Sequence, residues 1–191
     1  MYYLLDKKTK EEIKKAEVKV TVGAGQTYLE NEENENWTRI DINKDFKPDI
    51  VHDLTQTPWP LEDNSVDVIF GSHIIEHLPS LEQFVNEAER ALKPGGILVL
   101  LFPHYSRVWF SNEYLGAYGI GILRGFNKFT VEKVHLKYTW WRWRHWYKIP
   151  VYAFLAVMEF FANLNPAFWE RIWCYWFGGF DHVMIRARKN K

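Results

Sequence analysis

The residues able to do ligand chemistry in this sequence sit where strands are expected to end: Gly23-Ala24-Gly25, Asp41-Ile42, Asp53-Leu54, Ser72-His73 and His104-Tyr105. Glycine just past a strand lets the main chain approach a bound molecule closely. Asp41 lies 18 residues after Gly23, near the offset of about 20 at which an acidic side chain reaches ribose hydroxyls. Asp53, ending the next strand, is placed for an adenine amino group. A dinucleotide fits poorly, because G-x-G-x-x-G counted from Gly23 puts Tyr28 where the third glycine belongs. Residues 29–36 (LENEENEN) also make a poor amphipathic helix, so no helix dipole is expected to face a pyrophosphate. A cofactor with a ribose and no phosphate fits better, and S-adenosylmethionine is such a cofactor.

The elements that must hold these residues follow from periodicity. Residues 9–17 read as a helix with Thr9 as N-cap and Glu12 closing a capping box. Strands are expected at 18–22, 38–42, 49–54 and 66–70, and the unbroken apolar run 97–102 (ILVLLF) reads as a strand buried on both faces. Between the last two, Ser80 and Gln83 form a second capping box. Leu81, Phe84, Val85, Ala88 and Leu92 then make one apolar helical face, and Lys93-Pro94-Gly95-Gly96 stops it. Strand, helix, strand in that order is a βαβ unit with a parallel sheet. The fold class is therefore α/β, a Rossmann-like doubly wound sheet with a C-terminal aromatic helical insertion. Residues 133–144 are read as a strand, 150–164 as an aromatic-rich helix and 182–188 as a terminal strand. With no Gly/Ser/Pro-rich linker, residues 1–191 are taken as one domain: 18–103 for the cofactor, 104–180 for an acceptor or lid, and 181–188 completing the sheet.

Six segments in register carry a family resemblance: Gly23-Ala24-Gly25, residues 39–43 (RIDIN), 48–54 (PDIVHDL), 63–67 (DNSVD), 73–78 (HIIEHL) and 92–96 (LKPGG). Over about residues 18–103 the chain resembles class I S-adenosylmethionine-dependent methyltransferases, specifically a type 11-like subgroup with a short first-to-second strand connection. That resemblance implies methyl transfer from S-adenosylmethionine, and a small-molecule, glycan or lipid-linked acceptor is expected. It implies that Gly23, Ala24 and Gly25 flank the methionine part, that Asp41 with Ile42 binds the ribose, and that Asp53 with Leu54 holds the adenine. Ser72 or His73 would lie near the sulfonium. The glycine loop departs from the fullest family pattern, with Gln26-Thr27 where a further glycine is common.

Methyl transfer from a sulfonium asks mainly for alignment of the acceptor. A general base is needed only where the acceptor must lose a proton. His104 is the first candidate for that base, followed by Tyr105 and His77. Residues 73–77 (HIIEH) also match the zinc-protease pattern H-x-x-E-H. A turn is expected there, so no metal is assigned, and a zinc hydrolase stands as a minor alternative. Phe102-Pro103-His104-Tyr105 is similar to the N/D-P-P-Y loop of amino-methyltransferases but follows the fifth strand instead of the fourth.

The formal net charge is zero, from 24 basic and 24 acidic side chains among 191 residues. The balance conceals a division. Residues 1–102 carry 19 acidic and 11 basic side chains, and residues 103–191 carry 5 and 13. Seven of the ten tryptophans lie between 140 and 176. Residues 138–148 (YTWWRWRHWYK) admit three readings: packed aromatics beneath the inserted helix, contact with a membrane surface, or stacking on nucleic acid. Nucleic acid is the least favoured. The one cysteine, Cys174, gives no disulfide framework and is expected to be packed. No signal peptide or span of about 20 apolar residues is evident, so a cytoplasmic protein, with membrane association open, is expected. A non-catalytic binding protein on the same fold is the principal alternative to the enzyme.

Overall fold

The computed structural model describes residues 5–25, 36–105, 115–116, 118–137, 149–170 and 182–191. The expectations for residues 29–35, for the Trp/Arg segment 138–148 and for Cys174 fall outside them.

Seven strands form one sheet: β1 (Lys19–Val22), β2 (Trp37–Asp41), β3 (Ile50–Val51), β4 (Val66–Ser72), β5 (Leu92–Pro103), β6 (Phe129–Lys137) and β7 (His182–Lys189). Their spatial order is β3-β2-β1-β4-β5-β7-β6. The first five strands run parallel, and β7 lies antiparallel between β5 and β6. The Rossmann-like, mostly parallel α/β expectation is met, and the terminal strand enters the sheet between its two neighbours.

β5 is buried on both faces, as its unbroken apolar run requires. Ile97, Val99 and Leu101 belong to one apolar cluster with Leu5, Ile13, Val68 and Phe70. Leu98, Leu100 and Phe102 belong to a larger one with Phe84, Val85, Leu136 and Ile185. The alternation reflects the two-residue period of a strand.

The helices are α1 (Lys7–Lys15), α2 (Leu81–Ala91) and α3 (Ile149–Leu164). α1 starts two residues earlier than expected, because Asp6 is the cap. Its carboxylate accepts from Thr9 N and from Thr9 Oγ1, both at 3.0 Å. Ser80 does cap α2, accepting from Gln83 N at 3.2 Å. Gln83 does not return the bond; its amide donates instead to Thr55 O at 2.7 Å. That exchange ties the start of α2 to the loop after β3, which carries Asp53 and Leu54. α2 ends at Ala91, and Lys93–Gly96 already belong to β5. The expected strand at 133–144 begins earlier, at Phe129, and its described part ends at Lys137.

α3 packs on β6, an edge of the sheet whose outer main-chain groups need partners. Asn163 supplies one set: Leu136 N donates to its Oδ1 at 2.8 Å, and its Nδ2 donates to Leu136 O at 2.9 Å. Opposite α3, on the other side of the sheet, an ion cluster centred on the buried Arg186 joins α1 to the antiparallel strands. Arg186, 2% exposed, pairs with Glu12 and lies 2.8 Å from Glu132 Oε2, while Arg188 reaches the same two carboxylates.

Candidate functional site

Strand order reverses between β1 and β4, since the chain builds β2 and β3 on one side and then crosses over. A crevice at the carboxyl ends of such strands is where open α/β sheets bind ligands. Gly23 leaves β1 in the left-handed region, φ 63°, and Gly25 follows at 53°. A Cβ on Gly23 would stand 2.5 Å from Ile74 Cδ1. The position therefore requires glycine both for conformation and for the approach of the β4 exit.

Asp41 is buried at the end of β2. Gly25 N donates to its Oδ2 at 2.7 Å, and Asn43 N donates to its Oδ1 at 2.8 Å. Gly23 N also donates to Ile40 O at 2.9 Å. The glycine loop is thus stitched to the β2 exit at two points. Ile42, next in the chain, is 63% exposed beside this junction. His52 N donates to Asp41 O at 3.0 Å, bringing the β3 exit alongside. Asp53 is partly exposed there, and its Oδ1 accepts from Thr55 N at 2.9 Å. The bond from Thr55 N holds the Asp53 carboxyl below the usual carboxylate range. Leu54 is buried, and its carbonyl accepts from Trp59 Nε1 at 3.1 Å.

At the β4 exit, His73 has φ 54°, a conformation disfavoured for a non-glycine residue. Its Nδ1 is 3.2 Å from Glu76 Oε1, though not aligned as a hydrogen bond. Ser72 Oγ, His73 Nε2 and both oxygens of Glu76 are buried without a hydrogen-bond partner. Glu76 is 1% exposed, so among the described residues its carboxylate is the most deeply buried acidic group at this end of the sheet. The His73 ring meets His182 of β7 edge-on, with centroids 5.2 Å apart.

His104 follows β5 and is fully buried. Its Nε2 is 3.1 Å from Glu170 Oε1, and its ring lies 4.3 Å from that of Tyr105. Tyr105 N donates to Tyr118 O at 2.9 Å. Burial, reinforced by the negative charge of Glu76, pushes the Tyr118 hydroxyl pKa up. His77 is exposed at the end of a single 3-10 turn, Ile75–His77. The two histidines of the H-x-x-E-H pattern therefore do not share an α-helical face, and among the described residues no group of three metal-ligating side chains occurs.

The expected residues thus gather at two poles: Gly23 to Gly25, Asp41, Ile42, Asp53 and Leu54 around β1 to β3, and His104 with Tyr105 after β5. Ser72 and His73 stand at the exit of β4, between β1 and β5 in the sheet. Glu76, Tyr118 and Glu170 complete the second pole and were missed from sequence. Glu76 was visible inside the quoted motif, whereas Glu170 is 66 residues from His104 and carried no signal.

A model described as a methyltransferase domain matches residues 18–100. A relative from Mycolicibacterium smegmatis, named "Probable S-adenosylmethionine-dependent methyltransferase", is 46% identical over 52 residues, covering 27% of this chain and 20% of that protein. The chain spans less than a third of the length of the first curated relatives it matches. Among solved structures, a SAM-dependent methyltransferase from Archaeoglobus fulgidus aligns with TM-score 0.66 at 20% identity, over 95% of this chain and 90% of that one. One from Mesorhizobium loti aligns with TM-score 0.58 at 14% identity, over 93% of each. At such identities the solved structures speak for the fold.

Proposed function

We propose that this chain, which matches a methyltransferase domain over residues 18–100, is a class I S-adenosylmethionine-dependent methyltransferase that methylates a small-molecule, glycan or lipid-linked acceptor. The observation that carries the reading is the bond from Gly25 N to Asp41 Oδ2. It sets the glycine loop and the acidic residue in the relation that a ribosyl cofactor needs.

The residues present fit the group. An ionised carboxylate has about four acceptor sites, and backbone donors take two of those on Asp41. The remaining sites suit the ribose hydroxyls. Gly23, Ala24 and Gly25 would line the methionine part, and Ile42, Asp53 and Leu54 the adenine. Ser72 Oγ and His73 Nε2, buried and unpartnered at the β4 exit, suit the polar end of the methionine part. A left-handed non-glycine residue costs of order 1–3 kcal/mol and is retained mainly at functional sites, which agrees with a role for His73. When bound, the cofactor supplies a methyl group activated by a sulfonium.

The chain's own residues then orient the acceptor, a contribution that can reach about 7–11 kcal/mol of the barrier. His104 is buried and held by Glu170, so it fixes the β5 exit and the Tyr105 ring and accepts a proton only from a group delivered into the site. Tyr105, partly exposed, and His77 are the side chains that meet the acceptor from outside. The test is incubation of a lysate of the source organism with cofactor labelled in its methyl group, followed by partition into lipid, glycan, protein and small-molecule fractions. Label should concentrate in one fraction and vanish with Asp41→Ala. Equal labelling by wild type and Asp41→Ala would refute the reading.

A further inference from the structure

α3 carries its polarity on the wrong side for a helix facing water. At 100° per residue, Met158, Ala162, Leu155, Glu159 and Asn163 share one arc, and Phe154, Phe161, Val157, Leu164 and Phe160 share the opposite arc. The first arc faces the protein. Leu155, Met158 and Ala162 pack on the larger core, Glu159 Oε1 is 3.2 Å from His135 Nε2, and Asn163 pairs with Leu136. The side chains of the second arc are exposed, from 43% at Phe161 to 66% at Leu164, and Phe168 beyond the helix is 52% exposed. Contacts made by the two polar residues fix the rotation of α3, so the aromatic arc cannot turn inward without breaking them.

Contiguous apolar surface beyond a few hundred Å² marks an interaction site, and charge indicates the occupant here. Residues 137–158, which lead into and through most of α3, hold Lys137, Arg142, Arg144 and Lys148 and no acidic residue. The same stretch contains Trp140, Trp141, Trp143 and Trp146. A cationic, tryptophan-rich sequence running into a helix with an outward apolar arc has the composition that suits the interface of an anionic bilayer. At 16 residues α3 is about 24 Å long, short of the hydrocarbon core, and no described helix is long and apolar enough to cross a membrane. We infer that the outward arc of α3 lies in the headgroup boundary of an anionic membrane, parallel to its surface. Glu170, which holds His104, follows two residues after Phe168, so this face adjoins the second pole of the site. The docking itself stands whether or not the chain is a methyltransferase.

The experiment is co-sedimentation of the full chain with vesicles of phosphatidylcholine, with and without phosphatidylglycerol, at low and high salt. Binding should require phosphatidylglycerol and weaken with salt. It should fall about tenfold or more in Phe160→Ser plus Leu164→Ser, while thermal unfolding of that variant in solution stays near wild type. Arg142→Gln plus Arg144→Gln, which leaves the apolar arc intact, should weaken binding to anionic vesicles. No binding to phosphatidylglycerol vesicles would overturn the inference. So would a concentration-dependent dimer in light scattering that Phe160→Ser plus Leu164→Ser abolishes, because the occupant would then be a second copy.

Discussion

Gly25 and Asp41 are joined by a 2.7 Å hydrogen bond from the backbone N–H of one to the carboxylate Oδ2 of the other. A loop leaving β1 is thereby held by the residue that ends β2, and Asp41 supports the scaffold as well as the proposed ligand. Asp41→Ala should lower stability by about 1 kcal/mol, because two partly buried N–H groups lose an acceptor. Asp41→Asn keeps an acceptor oxygen and should cost less. Urea unfolding of the pair measures the difference, and equal losses would mean that the bonds to Gly25 and Asn43 carry little.

Gly23→Ala should be destabilising by about 2–3 kcal/mol, combining left-handed strain with overpacking against Ile74. Combining it with Ile74→Ala should give a loss smaller than the sum of the two single losses, since the collision disappears. Strict additivity in denaturant unfolding would show that Ile74 does not constrain the loop.

Much of this arrangement was legible in the chain because it is local. Gly23, Asp41, Asp53 and Ser72 all stand at or just past the ends of strands whose hydrophobic pattern is plain, and an open parallel sheet dictates where strand ends meet. The long apolar run at 97–102 announced a strand buried on both faces. The cap of α1 was misplaced because Asp6 and Thr9 are both good cap residues and the sequence does not rank them. Gln83 satisfied a capping pattern yet bonds to Thr55, a tertiary contact without a local signature. Glu170 was invisible for the same reason, because only the folded chain brings it to His104. The outward-facing arc of α3 was hidden too: a helix apolar on nearly every side does not declare which face is buried until Asn163 and Glu159 are seen against β6.

Arg186 and Arg188 should differ in their contribution to stability. Arg186 is 2% exposed between Glu12 and Glu132, whereas the Arg188 side chain is 30% exposed. Arg186→Ala should cost about 3 kcal/mol, approaching the loss seen when one partner of a buried pair is removed. Arg188→Ala should cost about 1 kcal/mol or less. Chemical denaturation of both variants settles the order, and a larger loss for Arg188→Ala would contradict it.

Asp6 gives a pH signature. Burial pushes its carboxyl up, but the bonds from Thr9 and Lys133 outweigh that and bring it from 3.8 down to about 2. A depressed carboxylate pKa contributes stability that is fully present above the unfolded value and lost as pH falls through the folded one. The gap in Tm between wild type and Asp6→Asn should therefore be constant near neutrality and close between about pH 4 and pH 2. A gap that widens with acid would contradict the assignment.

Asn163→Ala should cost about 1–3 kcal/mol by leaving Leu136 N–H and C=O without their partners. Hydrogen exchange should show reduced protection at the Leu136 amide. Unchanged exchange there would mean that α3 does not cover the sheet edge.

The central claim is that the β1 and β2 exits bind S-adenosylmethionine, and titration calorimetry tests it most directly. Wild-type protein should show saturable binding with one cofactor per chain, weakened at least tenfold (about 1.4 kcal/mol) by Asp41→Asn in a protein that remains folded. Absence of saturable binding by folded wild type, or binding of equal strength by Asp41→Asn, would contradict the account.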